Sequence, residues 1–395
     1  CRDVWIDEFI INSPLRNHCK TFCMTTCDAA PQRDEWIDIL SRFDGVLTYT
    51  EYAAKLLRSS GLKVVGQAPP AYPATFIPNR EEARRWAGIP KDAKVIGMVG
   101  RNGPRKLIGE LIRAFGRSNE CDYLYLHTGA YGAWDIPRHL QECGRADRVL
   151  FTYTCKCGWA KPLTYKGNKV RCSCGGEASM SETNTGAIEQ SLMPKVYSVM
   201  DVYAQISTNE GFGLPVVEAA ACGARICGIG HGATEEVVSS VGGYCLYNTV
   251  LYTEQDMGRE LALPLMLDLD ECFRNATVCP RDEIPYSYEL SAITWAGCFG
   301  NSKGDWNTIG QLAPELPPDG LSPEKFVRHC VQKVAYRNDL VGTYTEARMV
   351  RDLSNGYTGL LINEPYTKKN VLNWALSELQ AKNYWEGRLA ASYEE

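Results

Sequence analysis

Two carboxylates stand eight positions apart around a glycine-containing segment, Glu210-Gly-Phe-Gly-Leu-Pro-Val-Val-Glu218. Gly211 and Gly213 supply the permissive backbone of a tight turn, and Pro215 suits the start of a helix. Such a helix start presents unsatisfied backbone N–H groups, which favour a phosphate. A carboxylate only accepts hydrogen bonds, so the two glutamates suit the paired hydroxyls of a ribose or a hexose. The segment therefore indicates a sugar-nucleotide site, although a surface glutamate beside a glutamate that favours the helix dipole explains an isolated pattern equally well.

Basic residues follow a second apolar segment of the chain. Residues 95–99 have the pattern of a buried strand, and Arg101, Arg105 and Lys106 come directly after it. The carboxyl ends of the strands face the ligand crevice in an open α/β sheet. Arg101 is therefore placed to neutralise a diphosphate by bidentate hydrogen bonds, and Lys106 to do so as a point charge. A solvated helix face is the competing explanation, and it applies most to Arg105.

The elements that must position the two glutamates form a compact βαβ unit. The apolar segment 201–207 predicts a strand, 216–222 predicts a helix that a glycine ends, and 225–229 predicts the next strand. This arrangement predicts that Glu218 lies about one turn into the helix, whereas Glu210 stays in the loop before it.

The segment from Glu210 to Glu218, followed by Ala-Ala-Ala-Cys-Gly, resembles the signature of retaining family 4 glycosyltransferases of the GT-B fold. A second segment from Gly100 to Phe115 resembles the family's G-R-x-x-P-x-K-G-x-x-x-L-I-x-A-F pattern, with Leu107 in place of the usual glycine. The resemblance implies an α/β protein in which two Rossmann-like domains face a cleft. It implies a hexosyl- or pentosyltransferase that moves a sugar from a nucleoside diphosphate sugar to an acceptor hydroxyl with retention.

The resemblance also assigns roles to four of the candidate residues, Glu210, Glu218, Arg101 and Lys106. Glu210 binds hydroxyls of the donor sugar, while Arg101 and Lys106 stabilise the leaving diphosphate, and these three are the predicted catalytic residues. The further predicted donor-binding residues are Glu218, which the resemblance places at the ribose, the basic Arg105, and the turn residues whose backbone N–H groups suit the diphosphate: Gly211, Phe212, Gly213 and Leu214. Since the departing phosphate takes the acceptor proton, no catalytic divalent metal is expected.

The length and composition fit a globular chain of two domains, with 395 residues, 45% of them hydrophobic, and a net charge of -5. We predict a partial N-terminal, acceptor-side domain at 1–78, a nucleotide-sugar-binding domain at 79–350, and a late strand with closing helices at 351–395. A loop-rich insertion of unknown role is predicted at 279–325. The chain begins with Cys1 and has a short N-terminal domain, so part of the acceptor domain is expected to be missing, reduced or supplied elsewhere.

Four of the 17 cysteines form two close pairs, Cys155-Lys-Cys157 and Cys172-Ser-Cys174. The spacing resembles a four-cysteine zinc ribbon, here predicted as an insertion at 153–177, although C-x-C is tighter than the usual C-x2-C. Four thiolates close a tetrahedral site, so the expected Zn²⁺ is structural. Two disulfides or buried thiols are the alternatives. The sequence shows no membrane-length apolar segment and no leader, which favours a reducing cytoplasm, and a phage-encoded origin is a further hypothesis.

The predicted ribbon is basic as well as rich in cysteine. Residues 155–176 carry four lysines and one arginine without an acidic side chain, together with Trp159 and Tyr165. This mixture suits nucleic acid or another anionic acceptor, but a ribbon that only supports a neighbouring subunit is equally compatible. Two functions therefore stay open. One is a glycosyltransferase with an unknown acceptor, for which hydroxymethylated DNA bases are a candidate. The other is a non-catalytic nucleic-acid-binding protein that uses the ribbon on a GT-B scaffold.

Overall fold

The structure is a computed structural model, and it describes residues 11–12, 20–180, 188–254 and 258–287. The late strand and closing helices predicted at 351–395, and most of the loop-rich insertion predicted at 279–325, lie outside these residues. The chain forms two compact units. The smaller unit includes residues 38–44, in which Asp44 Oδ2 accepts a hydrogen bond of 2.7 Å from the backbone N–H of Thr21. Residues 24–37 and 45–301 form the larger unit, which contains the candidate site.

Strands and helices alternate along most of the described chain. The strands are β1 (Phe22–Thr25), β2 (Gly45–Thr48), β3 (Val64–Gln67), β4 (Val95–Val99), β5 (Tyr123–His127), β6 (Val149–Cys155), β7 (Ala160–Thr164), β8 (Lys169–Arg171), β9 (Glu177–Met180), β10 (Val202–Gln205), β11 (Arg225–Ile229), β12 (Tyr244–Leu246), β13 (Thr249–Thr253) and β14 (Glu260–Pro264). The helices are α1 (Asp34–Ser41), α2 (Glu51–Ser59), α3 (Arg80–Ala87), α4 (Ile108–Arg117), α5 (Ile136–Cys143), α6 (Met193–Ser198), α7 (Leu214–Ala221), α8 (Gly232–Ser240) and α9 (Leu269–Asn275).

The central sheet contains six parallel strands in the order β12-β11-β10-β4-β5-β6. Strands β4, β5 and β6 extend the sheet in one direction, and β10, β11 and β12 extend it in the other. The strand order therefore reverses between β4 and β10, which is the position where a doubly wound sheet forms its ligand crevice. The predicted α/β class and its Rossmann-like sheet are confirmed. The strands at 95–99 and 225–229 have the predicted bounds, whereas β10 ends at Gln205 because the next five residues form a buried loop.

Apolar side chains at helical spacing attach the helices to this sheet. Helix α4 buries Ile108, Leu111, Ile112 and Phe115, which recur at intervals of three and four residues and so share one face. These side chains belong to a core that includes Met98 and other apolar residues of the central strands. Replacing a buried phenylalanine such as Phe115 by alanine typically costs about 3 to 5 kcal/mol, so this face fixes the loop that precedes α4.

The ribbon strands belong to the same sheet. Strand β6 pairs with the antiparallel strands β7 and β9, and β9 pairs with β8. Because β6 is both the last parallel strand and the first ribbon strand, the four-cysteine segment continues the sheet.

The N-terminal region that contains β2, α2 and β3 contacts helix α8 through the first turn of α2. Strands β2 and β3 pair in parallel, and α2 connects them. The carboxylate of Glu236 accepts hydrogen bonds from the backbone N–H groups of Glu51 at 2.8 Å and Tyr52 at 2.7 Å. A carboxylate from α8 thus satisfies the first turn of α2 and favours its dipole. No helix in the described part of the chain has the length and apolarity needed to cross a membrane.

Candidate functional site

A buried ion pair joins the two sequence segments at the switch point of the sheet. Lys106 Nζ donates to Glu210 Oε1, and Arg105 Nη1 lies 2.5 Å from Glu210 Oε2. The side chains of Lys106 and Glu210 are only 9% and 5% exposed, whereas that of Arg105 is 43% exposed. Lys106 follows β4 and Glu210 follows β10, so adjacent strands bring together residues that are 104 positions apart.

Buried polar groups hold Glu210 from the protein side. Gln205 Nε2 donates to Glu210 Oε1 at 2.8 Å, and Tyr203 donates from its hydroxyl to Gln205 Oε1 at 2.8 Å. Burial by itself raises the pKa of Glu210, but the charges of Lys106 and Arg105 outweigh it and lower the pKa below its usual value. Glu210 is therefore an ionised carboxylate whose orientation is fixed before any ligand binds.

The remaining predicted basic residue, Arg101, is exposed and unpaired. It forms no ion pair with any residue that the structure describes, although it belongs to the same loop as Lys106. Arg105 also donates to the backbone carbonyl of Asn209 at 3.0 Å, which attaches this loop to the one after β10. The site thus combines a constrained cation at Lys106 with accessible guanidinium groups at Arg105 and Arg101.

Three helices begin at this edge without a side-chain cap. They follow β4, β10 and β11, and their N-cap residues are Leu107, Gly213 and His231. Of the other described helices, α2, α3 and α5 begin with side-chain caps from Thr50, Asn79 and Asp135, whereas α6 and α9 have none. Uncapped helix starts leave backbone N–H groups and positive dipole ends near the carboxyl edge of the sheet, and both favour an anion.

The turn between Glu210 and α7 packs closely against neighbouring residues. A Cβ at Gly211 would lie 2.7 Å from the Cβ of Thr26, so this position requires glycine on steric grounds. Gly213 has φ of +89°, a conformation that favours glycine. The Phe212 ring packs edge-on against Tyr49 and Tyr286, with centroids 6.1 and 5.1 Å away. The Phe212 ring therefore lies in the core, and the donor contact predicted for the backbone N–H groups of this turn stays a prediction.

Glu218 lies apart from the ion-paired cluster. It is in α7, where its Oε2 accepts a hydrogen bond of 2.6 Å from the hydroxyl of Tyr197 in α6. Burial raises the pKa of Glu218 to about 7. No described residue forms an ion pair with Glu218, so the structure brings Glu210, Lys106 and Arg105 together but leaves Glu218 as a separate acceptor.

Sequence reasoning missed a group of buried polar atoms in the same loops. His127 Nε2, Thr128 Oγ1, Asn209 Nδ2 and Thr234 Oγ1 are buried without a hydrogen-bond partner among the residues that the structure describes. Burial also lowers the pKa of His127 to about 4, so its ring is neutral at pH 7. Unsatisfied buried polar groups are costly, so they indicate a place where a polar ligand contributes hydrogen bonds. The available signal was the polar pair His127-Thr128 at the end of an apolar strand.

The four cysteines converge as the sequence predicted. The Sγ atoms of Cys155, Cys157, Cys172 and Cys174 all lie within 4.8 Å of one another. Cys155 Sγ is 3.6 Å from Cys174 Sγ, and Cys157 Sγ is 3.6 Å from Cys172 Sγ. A disulfide needs about 2.05 Å, whereas tetrahedral Zn–S bonds of about 2.3 Å place sulfurs about 3.8 Å apart. The sulfurs are farther apart than in a disulfide, and their spacing fits a four-thiolate metal centre.

Comparison with known proteins gives one relative by sequence. The chain is 28% identical over 218 residues to a D-inositol 3-phosphate glycosyltransferase of Stackebrandtia nassauensis, covering 51% of this chain and 42% of that protein. The sequence is similar to that of a glycosyltransferase. The chain thus spans less than half the length of this relative, and no protein-family profile matches it.

Solved structures are also similar. Sucrose-phosphate synthase of Thermosynechococcus elongatus matches with a TM-score of 0.49 and 18% identity, over 76% of this chain and 66% of that one. Anabaena Alr3699/HepE, solved with UDP and glucose, matches with a TM-score of 0.45 and 14% identity, over 75% of this chain and 70% of that one.

Proposed function

We propose that the protein transfers a sugar from a nucleoside diphosphate sugar to an acceptor hydroxyl, with retention at the anomeric carbon. The observation that carries this proposal is the cluster of Glu210, Lys106 and Arg105 at the switch point, beside the unpaired Arg101. Retention is proposed from the resemblance of the segment from Glu210 to Glu218 to retaining enzymes.

The charges at this site suit a departing diphosphate. Arg101, Arg105 and Lys106 carry three positive charges and Glu210 carries one negative charge, which leaves a net charge of about +2 against the roughly two negative charges of a diphosphate ester. The uncapped start of α7 adds backbone N–H donors at the same edge. Groups that are already oriented stabilise developing charge without reorganising, so they lower the barrier to cleavage of the glycosidic bond.

The carboxylates supply acceptors for hydroxyl groups. Glu210 is ionised and oriented, so it accepts hydrogen bonds from hydroxyls of the donor sugar. Glu218 uses Oε2 for Tyr197, and its Oε1 accepts from a ribose hydroxyl. The neutral ring of His127 offers its unpartnered Nε2 at the end of β5 as a further group for a sugar hydroxyl.

Turnover of a panel of nucleotide sugars tests this proposal. Glu210→Gln keeps the shape of the side chain but removes its charge, so we expect the turnover of the preferred donor to fall about 100-fold or more. Glu35→Gln, an exposed position in α1, is the matched control and is expected to keep wild-type turnover. Full activity of a folded Glu210→Gln variant contradicts the site assignment, and an inverted anomeric configuration of the product by NMR contradicts retention.

We also propose that Cys155, Cys157, Cys172 and Cys174 bind a structural Zn²⁺. Their sulfur spacing supports four thiolate ligands, and such a closed set leaves no coordination position for a substrate. Elemental analysis of protein purified without added metal is expected to give one zinc atom per chain. Cys172→Ser is expected to lose it, and a wild-type content far below one atom contradicts the proposal.

A further inference from the structure

A cavity of about 630 Å³ lies beside the ribbon, within the size range of small-molecule sites. Four of its lining residues form one row across four strands: Ala160 is opposite Thr154, Thr154 is opposite Ser179, and Ser179 is opposite Lys169. Residues opposite each other in a sheet share a face, and strands are about 4.8 Å apart, so the row extends about 14 Å. Apart from Lys169 at one end, these side chains are small and leave a flat floor.

The side chains around this floor include two aromatic rings and a lysine, together with apolar residues and one carboxylate, Glu189. Tyr131, in the loop after β5, is 73% exposed, and Trp159 packs partly against the core. Lys156 is exposed and forms no ion pair within the part of the chain that the structure describes. The Lys169 ammonium lies 2.8 Å from Glu177 and is partly neutralised. The cavity therefore offers an aromatic face for stacking and a free ammonium group for a phosphate.

Positive charge continues beyond the cavity. Lys166 and Arg171 are exposed on the ribbon, and neither forms an ion pair with a described residue, whereas Lys161 follows the floor residue Ala160 in β7 and so lies on the opposite face. A single small anion does not need cations spread over several strands, whereas a phosphodiester chain does. The arrangement is complementary in charge to a polymer that continues past the cavity.

We propose that the cavity beside the ribbon binds a nucleotide unit of a single-stranded nucleic acid. This inference rests on the proposed function, because the polymer would carry the acceptor hydroxyl. The base lies on the floor formed by Thr154 and Ser179 and stacks on Tyr131, while Lys156 contacts a phosphate. The hydroxyls of the floor are donors and acceptors for the edge of a base.

Fluorescence anisotropy with a labelled single-stranded DNA of about 12 nucleotides tests this inference. The double variant Tyr131→Ala/Lys156→Ala removes one stacking face and one cation, both exposed, so folding should be retained. We expect its affinity to fall about tenfold or more, and the slope of log affinity against log salt to decrease by about 1. Lys91→Ala removes an exposed lysine before β4, at the amino end of the sheet. It is expected to leave the DNA affinity and the salt slope unchanged.

Donor hydrolysis by the same variants separates the two hypotheses. We expect KM for the sugar nucleotide to stay within about twofold of wild type in the double variant. Unchanged DNA affinity of that variant, or wild-type binding without salt dependence, overturns the inference. A higher donor KM with unchanged DNA affinity also overturns it and assigns the cavity to the base of the donor. DNA binding by a protein that hydrolyses no sugar nucleotide contradicts the proposed function and leaves the cavity assignment supported.

Discussion

The two ends of strands β4 and β10 hold similar charged clusters with different surroundings. At the amino end, Asp201 contacts Arg80 and Arg84 and accepts a hydrogen bond of 2.7 Å from the backbone N–H of Val95. At the carboxyl end, Glu210 contacts Lys106 and Arg105. In both clusters, one carboxylate binds two cations next to the same pair of strands.

The clusters differ in what surrounds them. Of the seven buried side-chain atoms without a partner in the described chain, one, Arg84 Nε, belongs to the amino-end cluster, whereas five belong to a strand end, loops or helix starts at the carboxyl end: His127, Thr128, Asn209, His231 and Thr234. The carboxyl end also has the unpaired Arg101 and uncapped helix starts, whereas Arg80 and Arg84 at the amino end are both bound to Asp201. An ion cluster alone therefore does not identify a ligand site, and the unsatisfied groups beside it are the better indicator.

The largest expected effect comes from breaking the amino-end cluster. Asp201→Asn leaves the buried Arg84 without its counter-charge, so we expect the free energy of unfolding to fall by about 3 to 5 kcal/mol. The turnover of the folded fraction should stay within about twofold of wild type. Urea denaturation and donor turnover measure the two quantities. A hundredfold loss of turnover would mean that both ends of the strands serve catalysis.

Removal of a metal from the four cysteines is expected to have the second-largest effect, which is a loss of stability in the ribbon. At a metal concentration of about 100 times Kd, binding stabilises the bound state by about 2.7 kcal/mol. After chelation, amide exchange in β6 to β9 should therefore speed up by about 100-fold, while β10 and β11 keep their protection. Hydrogen exchange with mass spectrometry measures this difference. An equal increase in exchange rate throughout the sheet, or no increase in β6 to β9, contradicts a structural metal at the four cysteines.

The raised pKa of Glu218 predicts an effect of pH on stability. The folded protein holds this proton more tightly than the unfolded chain, whose carboxyl has a pKa of 4.5. The contribution is fully present below pH 4.5 and is lost as pH rises to about 7, and it amounts to at most about 3 kcal/mol. Glu218→Gln should remove this decrease in the free energy of unfolding with rising pH. Glu81→Gln, an exposed control in α3, should keep it. Identical pH profiles for Glu218→Gln and wild type contradict the assignment.

Leu107 gives the smallest expected effect. It has φ of +44°, in the left-handed region, at the position where the family pattern has glycine, and its side chain is buried in the core. Glycine relieves about 1 to 2 kcal/mol of backbone strain, but loss of a buried leucine typically costs about 2 to 5 kcal/mol. We therefore expect Leu107→Gly to lower the free energy of unfolding by about 2 kcal/mol. Stabilisation of this variant would mean that the relief of backbone strain exceeds the loss of packing energy.

Much of the sheet could be predicted from local patterns, because apolar segments such as 95–99 and 225–229 are bounded by polar or glycine residues. The placement of Lys106 and Glu210 at strand ends also followed from sequence. Their direct contact did not, since it depends on β4 and β10 being neighbours, which is a property of the strand order. The sequence likewise gave no indication that β7, β8 and β9 pair onto the central sheet, because cysteine spacing contains no information on strand partners.

The polar group at His127 shows a different limit. A histidine after an apolar strand is most often a satisfied core residue, and only the structure shows that Nε2 lacks a partner. Phe212 combines two roles, since its backbone belongs to the predicted donor-binding turn while its ring packs against Tyr49 and Tyr286. Motif position alone does not separate residues that face a ligand from residues that fix the turn.

Calorimetric titration with UDP, GDP and ADP tests the central claim, which is that the carboxyl-end cluster is the diphosphate site. The matched variants are Arg101→Ala at the carboxyl end and Arg80→Ala at the amino end. Loss of a charge-assisted hydrogen bond typically costs about 1.5 to 3 kcal/mol, so we expect Arg101→Ala to weaken the preferred diphosphate about 10- to 100-fold. Arg80→Ala should bind as wild type does. Wild-type affinity in Arg101→Ala, or equal losses in both variants, would contradict the account.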